Sequence, residues 1–227
     1  MTRMAGLDRL GDLPQLGSDP SRTYRLGIMG GTFDPIHNGH LVAAEQSRHD
    51  LDLDLVVFMP AGSPAFKQDR EVSSAEDRYA MTLLATADNP NFLASRFELE
   101  REGITYTVDT LSALREIYPD NVELYFITGA DAIIDIVKWH DADRIAELAT
   151  LVGATRPGYD LDAAMDAIER SGIQFDVIYL EVPALAISSS HLRERHRAGQ
   201  SLRYLTPDQV VGFIEKHGLY QRRGDGS

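Results

Sequence analysis

The amino-acid sequence predicts an α/β fold: a doubly wound, mainly parallel sheet with helices on both faces. Three observations carry this. Apolar runs of strand length alternate along the chain with segments of helical period, the order that feeds a parallel sheet through crossover helices. The runs Leu53–Met59 and Val122–Thr128 are apolar along most of their length, as strands covered on both faces are. The glycine pair Gly30-Gly31, Gly129 and Ser188 each stand just after a strand run, at the carboxyl ends where ligands bind in folds of this kind.

Taken in order, residues 1–23 mix Gly, Pro, Ser and Asp with scattered Leu and no period. They read as a mobile leader outside the fold. Tyr24–Met29 is a strand running into the glycine pair. Asn38 to Asp50 is a helix, and Leu53–Met59 a strand stopped by Pro60. Pro60 to Val72 is a loop long enough to serve a function. Ser73 or Ser74 caps a helix reaching about Ala87, with Tyr79, Leu83 and Leu84 turned inward. Phe92–Leu99 is strand-like. Thr107 opens a helix that Pro119 ends, and Val122–Thr128 is the central strand. Short helices at 131–138 and 141–149 meet at Trp139. Leu151–Ala154, a helix over 161–170 and the strand Val177–Val182 continue the alternation. Helices at Ser188–Ala198 and Pro207–His217 close it. One domain over 24–220, followed by a tail at 221–227, is the resulting organisation.

Composition narrows the function. The chain has 227 residues, 43% of them hydrophobic, with a formal net charge of −13. A sequence pI near 4.9 argues against nucleic acid as the main partner. No run approaches the roughly 18 apolar residues of a membrane span, and the first residues lack the apolar core of a secretory signal. The absence of cysteine rules out disulfides, thiolate metal sites and cysteine nucleophiles, and it suits a cytoplasmic protein. Small anionic substrates remain compatible if positive charge is concentrated locally. Arg193, Arg195, Arg197 and Arg203 provide one such concentration, against Glu194 alone.

Gly30-Gly31-Thr32-Phe33-Asp34-Pro35-Ile36-His37-Asn38-Gly39-His40 is the first chemical constellation. Adjacent glycines let the backbone bring its N–H groups close to an oxyanion. His37 and His40, three apart at a helix start, project to one side. The free N–H groups and helix dipole there already favour an anion. The sequence holds neither G-x-G-x-x-G nor G-x-x-x-x-G-K-[ST], so a dinucleotide-binding dehydrogenase or a P-loop enzyme loses its main support. Ile187-Ser188-Ser189-Ser190-His191-Leu192-Arg193 is the second constellation. Its serines can cap a helix or bind a phosphate. The planar fork of Arg193, one turn in, can reach the same anion.

These two segments resemble the HxGH nucleotidylyltransferases, Rossmann-like enzymes with an H-x-G-H motif and a distal I-S-S-T-x-[IL]-R motif, read here with Ser190 for Thr. Further segments, TYTVDTL (105–111), GADA (129–132) with Trp139, and RPG (156–158), stand in the order of the nicotinate-nucleotide adenylyltransferases. One departure lies after Pro60, where Phe66 replaces a His the family often carries and leaves Lys67 as the phosphate contact.

The resemblance implies transfer of AMP from ATP to nicotinate mononucleotide, with Mg²⁺ carried on the ATP phosphates and no protein-held metal. It implies that His37, His40, Lys67 and Arg193 stabilise the reacting phosphates. Gly30, Gly31, Thr32, Phe33, Gly129, Asp131, Ser188 and Ser189 would bind ATP. Trp139 would stack on the pyridine ring, main-chain N–H groups at Thr107 and His140 would receive its carboxylate, and Arg156 would lie near the nucleotides. The chemistry fits: a phosphate monoester is already an anionic nucleophile, so no general base is needed. Tyr106, His49 and His217 read as structural. The competing readings are pantetheine-phosphate adenylyltransferase, a cytidylyltransferase of the same superfamily, and an inactive nucleotide-binding protein on the same fold. A homo-oligomer is compatible with the sequence.

Overall fold

The computed structural model describes residues 11–63, 72–101, 103–155, 161–183 and 185–221. Its strands are β1 (Tyr24–Gly31), β2 (Leu55–Pro60), β3 (Phe92–Ala94), β4 (Val122–Gly129), β5 (Thr150–Thr155) and β6 (Val177–Glu181). Its helices are α1 (Asn38–Asp50), α2 (Ala75–Thr86), α3 (Thr107–Ile117), α4 (Ala130–Ile136), α5 (Ala142–Leu148), α6 (Asp162–Ser171), α7 (Ser189–Arg197) and α8 (Asp208–His217). The strands form one sheet in the order β3-β2-β1-β4-β5-β6, and every neighbouring pair is parallel. This is the doubly wound Rossmann order, with its switch point between β1 and β4. Among the described residues no helix is long and apolar enough to cross a membrane.

Side chains of successive strand residues leave on opposite faces, and here they feed two cores. Leu26, Ile28, Leu124 and Phe126 join Leu111, Leu114, Ile133 and Ile145 on one face. Met29, Val56, Phe58 and Ile127 join Ala44, Met81, Leu192 and Ile214 on the other. Helices α3, α4 and α5 therefore cover one side, and α1, α2, α7 and α8 the other. Ser74 caps α2 by accepting the Asp77 N–H at 3.0 Å.

The structure corrects the sequence reading in three places. Residues 1–23 are not outside the fold where they are described. Leu13 is buried in the α3 core with Leu16 packed beside it, and Tyr118 donates its hydroxyl to the Pro14 carbonyl at 2.8 Å. Asp12 accepts from the Arg96 N–H at 2.6 Å and from the Ser95 hydroxyl. This strap carries no strand or helix ladder, so no period betrays it. Replacing Leu13 by alanine is expected to cost about 2–3 kcal/mol, as core truncations do. A urea titration checks this, and an unchanged midpoint would put the segment back outside the fold.

The second correction is in α2. The inward residues are Arg78, Met81, Thr82 and Ala85, while Leu83 is 48% exposed. The helix is rotated so that Arg78 can reach loop carbonyls, and Met81 and Ala85 follow on its face. The third is β3, which ends at Ala94. The Ser95 N–H still bonds the Phe58 carbonyl at 2.9 Å, and the chain then turns through Arg96–Leu99.

Candidate functional site

The loop between β1 and α1 is held from behind by its carbonyls. Arg78, fully buried, donates to the carbonyls of Thr32 (3.0 Å), Gly62 (3.0 Å) and Ser73 (3.1 Å). Arg193 donates to the Asp34 carbonyl at 2.6 Å, Ser189 to that of Pro35 at 2.8 Å, and Thr206 to that of Ile36 at 2.7 Å. The buried Asp34 carboxylate accepts the Tyr220 hydroxyl at 2.6 Å. Phe33 sits at φ 49°, in the left-handed region. A side chain on Gly31 would strike the Phe33 ring at 2.8 Å, which accounts for glycine there.

This frame sets the two histidines. His37 caps α1, and its ring stacks on that of His40 with centroids 3.7 Å apart. His40 Nδ1 accepts the His37 backbone N–H at 3.2 Å. The bond leaves Nδ1 unprotonated and puts the imidazole proton on Nε2, making that atom a donor. The His40 ring also meets Phe33 edge-on at 5.1 Å. Gly39 is needed under the pair, since a Cβ there would lie 3.0 Å from His37 Nδ1.

Burial pushes the His37 pKa down to about 4, so this imidazole is neutral at physiological pH and acts through hydrogen bonds. The sign of the linkage follows. The unfolded chain, with an ordinary His pKa near 6.5, binds a proton that the folded chain refuses between these two values. Stability is therefore complete above about pH 6.5 and falls as pH drops towards about 4. Between about pH 6.5 and 5 the loss is expected to be on the order of 1–2 kcal/mol. Urea titrations of the wild type and His37→Gln check it, since the variant should lack this component.

Two pockets open at the carboxyl ends of the strands. The first, about 550 Å³, is lined by Gly30, His37, His40, Gly129, Asp131 and Ser188 among others. The second, about 510 Å³, is lined by Glu98, Tyr106, Thr107, Lys138, Trp139 and His140, together with Gly31 and Thr32 among others. Gly30 and Thr128 belong to both walls. The cavities thus meet at the switch point between β1 and β4. Trp139 is set by an edge contact with Phe126 at 6.1 Å, and Tyr106 packs on His140 at 4.6 Å.

Most residues picked out from the sequence fall on these walls, but three do not. Arg193 is buried, with its fork on the Asp34 carbonyl and on Ser190 Oγ at 3.1 Å. Ser189 has its hydroxyl on Pro35, and Phe33 lies beneath His40. All three brace the loop rather than line a pocket. The expected anion-bound fork of Arg193 instead spends one nitrogen on the Asp34 carbonyl and the other on the Ser190 hydroxyl, and Ser188 caps α7 by accepting the His191 N–H at 3.2 Å. Lys67 and Arg156 lie outside the described residues.

Sequence reasoning missed Thr128, Tyr106, Glu98, Arg78 and Tyr220. Glu98 is a buried carboxyl in the wall of the second pocket whose pKa burial raises to about 7. The Tyr220 hydroxyl is pushed up by burial and by the Asp34 carboxylate. An arginine at the helical position of an apolar neighbour was the one signal available for Arg78.

The family model for cytidylyltransferase-like proteins matches residues 28–195. A Frankia alni protein named "Probable nicotinate-nucleotide adenylyltransferase" is 56% identical over 197 residues, covering 86% of this chain and 100% of the relative. A Corynebacterium glutamicum protein of the same name is 52% identical over 203 residues, covering 89% and 91%. In fold, the chain is similar to the Plasmodium falciparum nicotinic acid mononucleotide adenylyltransferase complexed with NaAD, with a TM-score of 0.71 at 20% identity over 87% of this chain and 97% of that one. With identity at this level along nearly the whole length of its relatives, the chain belongs to the cytidylyltransferase-like family and, within it, to the nicotinate-nucleotide adenylyltransferases.

Proposed function

We propose that the chain transfers AMP from ATP to nicotinate mononucleotide, giving nicotinate adenine dinucleotide and pyrophosphate, as a cytoplasmic step of NAD biosynthesis. ATP takes the first pocket, with Gly30, Gly129, Asp131 and Ser188 around its adenosine and phosphates. The mononucleotide takes the second, with its pyridine ring on Trp139 and its carboxylate at the main-chain N–H groups of Thr107 and His140. The observation that carries this reading is the shared wall at Gly30 and Thr128: two pockets of nucleotide size meet where two phosphates must react.

A phosphate oxygen of the mononucleotide attacks the α-phosphorus of ATP, the bond to the bridging oxygen breaks, and its electron pair leaves with pyrophosphate. The protein's task is alignment and charge stabilisation. His40 Nε2–H and neutral His37 donate hydrogen bonds at the start of α1, whose dipole favours the same charge. Arg193, Ser189 and Arg78 hold the loop that carries them. By the resemblance, Lys67 would contact the phosphates and Arg156 would lie near the nucleotides. Mg²⁺ brought in on the ATP phosphates would supply charge neutralisation on the leaving group. Among the described residues no group of three or more His, Asp or Glu is placed to hold a metal ion.

The test is incubation with ATP and nicotinate mononucleotide, following dinucleotide by chromatography and pyrophosphate by a coupled assay. Phosphopantetheine as acceptor and CTP as donor serve as controls. Dinucleotide with nicotinate mononucleotide alone is expected. Turnover confined to either control would reassign the substrate, and no turnover with any pair would leave a nucleotide-binding protein.

A further inference from the structure

We infer that Glu98 makes acceptor choice proton-linked: a pyridine carboxylate entering the second pocket drives one proton onto the Glu98 carboxyl, whereas a carboxamide does not. The acid-over-amide preference then declines as pH rises above neutrality. The inference rests on the reading of the second pocket as the acceptor site.

Glu98 stands in the wall of that pocket, 7% exposed, on the turn that follows β3. Its Oε1 accepts the Thr110 hydroxyl at 2.8 Å. Thr110 lies in the first turn of α3, one turn on from Thr107 at the helix start. Glu98 therefore already occupies the neighbourhood in which the substrate carboxylate is to be received.

Among the described residues, the cations that face it are committed elsewhere. Arg78, from α2, is bonded to the carbonyls of Thr32, Gly62 and Ser73. Arg101, from Glu98's own segment, pairs with Asp109 of α3 at 3.3 Å and touches the Thr110 hydroxyl at 3.4 Å. Tyr106, Lys138 and His140 line the same pocket from α3's leading edge and from the segment after α4. β2, β1 and β4 contribute only Ala61, the loop residues Gly30–Thr32, Phe126 and Thr128 to this wall. Among the described residues no ion pair reaches Glu98 within 4.0 Å. Desolvation outweighs the hydrogen bond from Thr110 and the distant pull of Arg101 and Arg78, leaving the pKa at about 7.

A group poised there changes protonation under a small perturbation. Two carboxylates in one desolvated pocket cannot both stay ionised without a large cost, and the one with the higher pKa takes the proton. Protonated Glu98 presents no like charge to the substrate. The carboxamide imposes no such demand. The proton comes from solvent and returns to it when the product leaves, so the balance of the transfer step is unaltered.

The measurement is kcat/KM for nicotinate mononucleotide and for its amide analogue from about pH 6.5 to about pH 9, in the wild type and in Glu98→Gln. Their ratio cancels the titration of groups that act alike on both acceptors. In the wild type the ratio should fall with pH, by up to about tenfold per unit at the steepest. In Glu98→Gln it should stay level. Independently of any variant, calorimetric titration of the wild type with nicotinate mononucleotide near pH 8, in buffers of different ionisation enthalpy, should show uptake of a large fraction of a proton. Titration with the amide should show none. Buffer-independent heats with the acid acceptor, or an equal pH slope in both proteins, would overturn the inference while leaving adenylyl transfer intact. Absence of turnover with either acceptor would instead overturn the functional reading on which it rests.

Discussion

Replacing His40 by alanine is expected to lower kcat by two to three orders of magnitude. The lost Nε2–H donor is comparable to a single oxyanion contact, worth about 2.7–4 kcal/mol in a preorganised site. The geometry adds a second, smaller effect. His40 Nδ1 closes the α1 start by accepting the His37 N–H, and loss of such a cap costs about 1 kcal/mol of stability. Thermal unfolding should therefore shift by a few degrees while turnover collapses. His40→Asn, which keeps a short acceptor for the cap, should recover stability without recovering rate. A variant retaining more than a tenth of the parent kcat would remove His40 from the chemistry.

The second large effect is selection of the acid acceptor. Nicotinate mononucleotide is expected to be used about ten to a hundred times better than the amide near neutral pH, since a buried donor facing a donor costs about 1–3 kcal/mol. On the proposed placement Trp139 would stack on either ring and so would not discriminate. The proposed main-chain N–H groups at Thr107 and His140 would suit two acceptor oxygens and repel an NH₂. The check is a comparison of kcat/KM for the two acceptors at saturating ATP. Equal values would remove the specificity claim without touching adenylyl transfer.

How much of this was legible depended on whether a residue's role is local. The span of α1 and a serine cap at Ser73 or Ser74 were readable because each is set by its own neighbours: an apolar period, a turn residue, a hydroxyl before a helix. The wall residues His37, His40, Gly129 and Trp139 were readable because their segments carry a resemblance. The strap at Asp12–Leu16 was not, because extended chain pinned by side-chain bonds leaves no repeat. Arg193 was legible as important and misread in kind. Sequence placed it one turn into a helix, and only the tertiary path of the loop from β1 puts the Asp34 carbonyl under its fork. Glu98 and Arg78 were hidden for the same reason. A charged side chain in a turn or on a helix looks solvated until the elements closing over it are known.

The partition common to both pockets has a bearing on how the reaction ends. On the proposed function, a dinucleotide product would lie across Gly30 and Thr128, the residues common to both walls, with one half in each compartment. Each half holds the other in place at high effective concentration, so release requires both to let go together. Pyrophosphate, confined to one side, has no such second anchor. On that placement departure of the dinucleotide would be the slow exit, and turnover would respond to anything that loosens either half. A synthetic ligand joining an adenosine-like and a pyridine-like group by a linker short enough to cross that ridge would exploit the same tether.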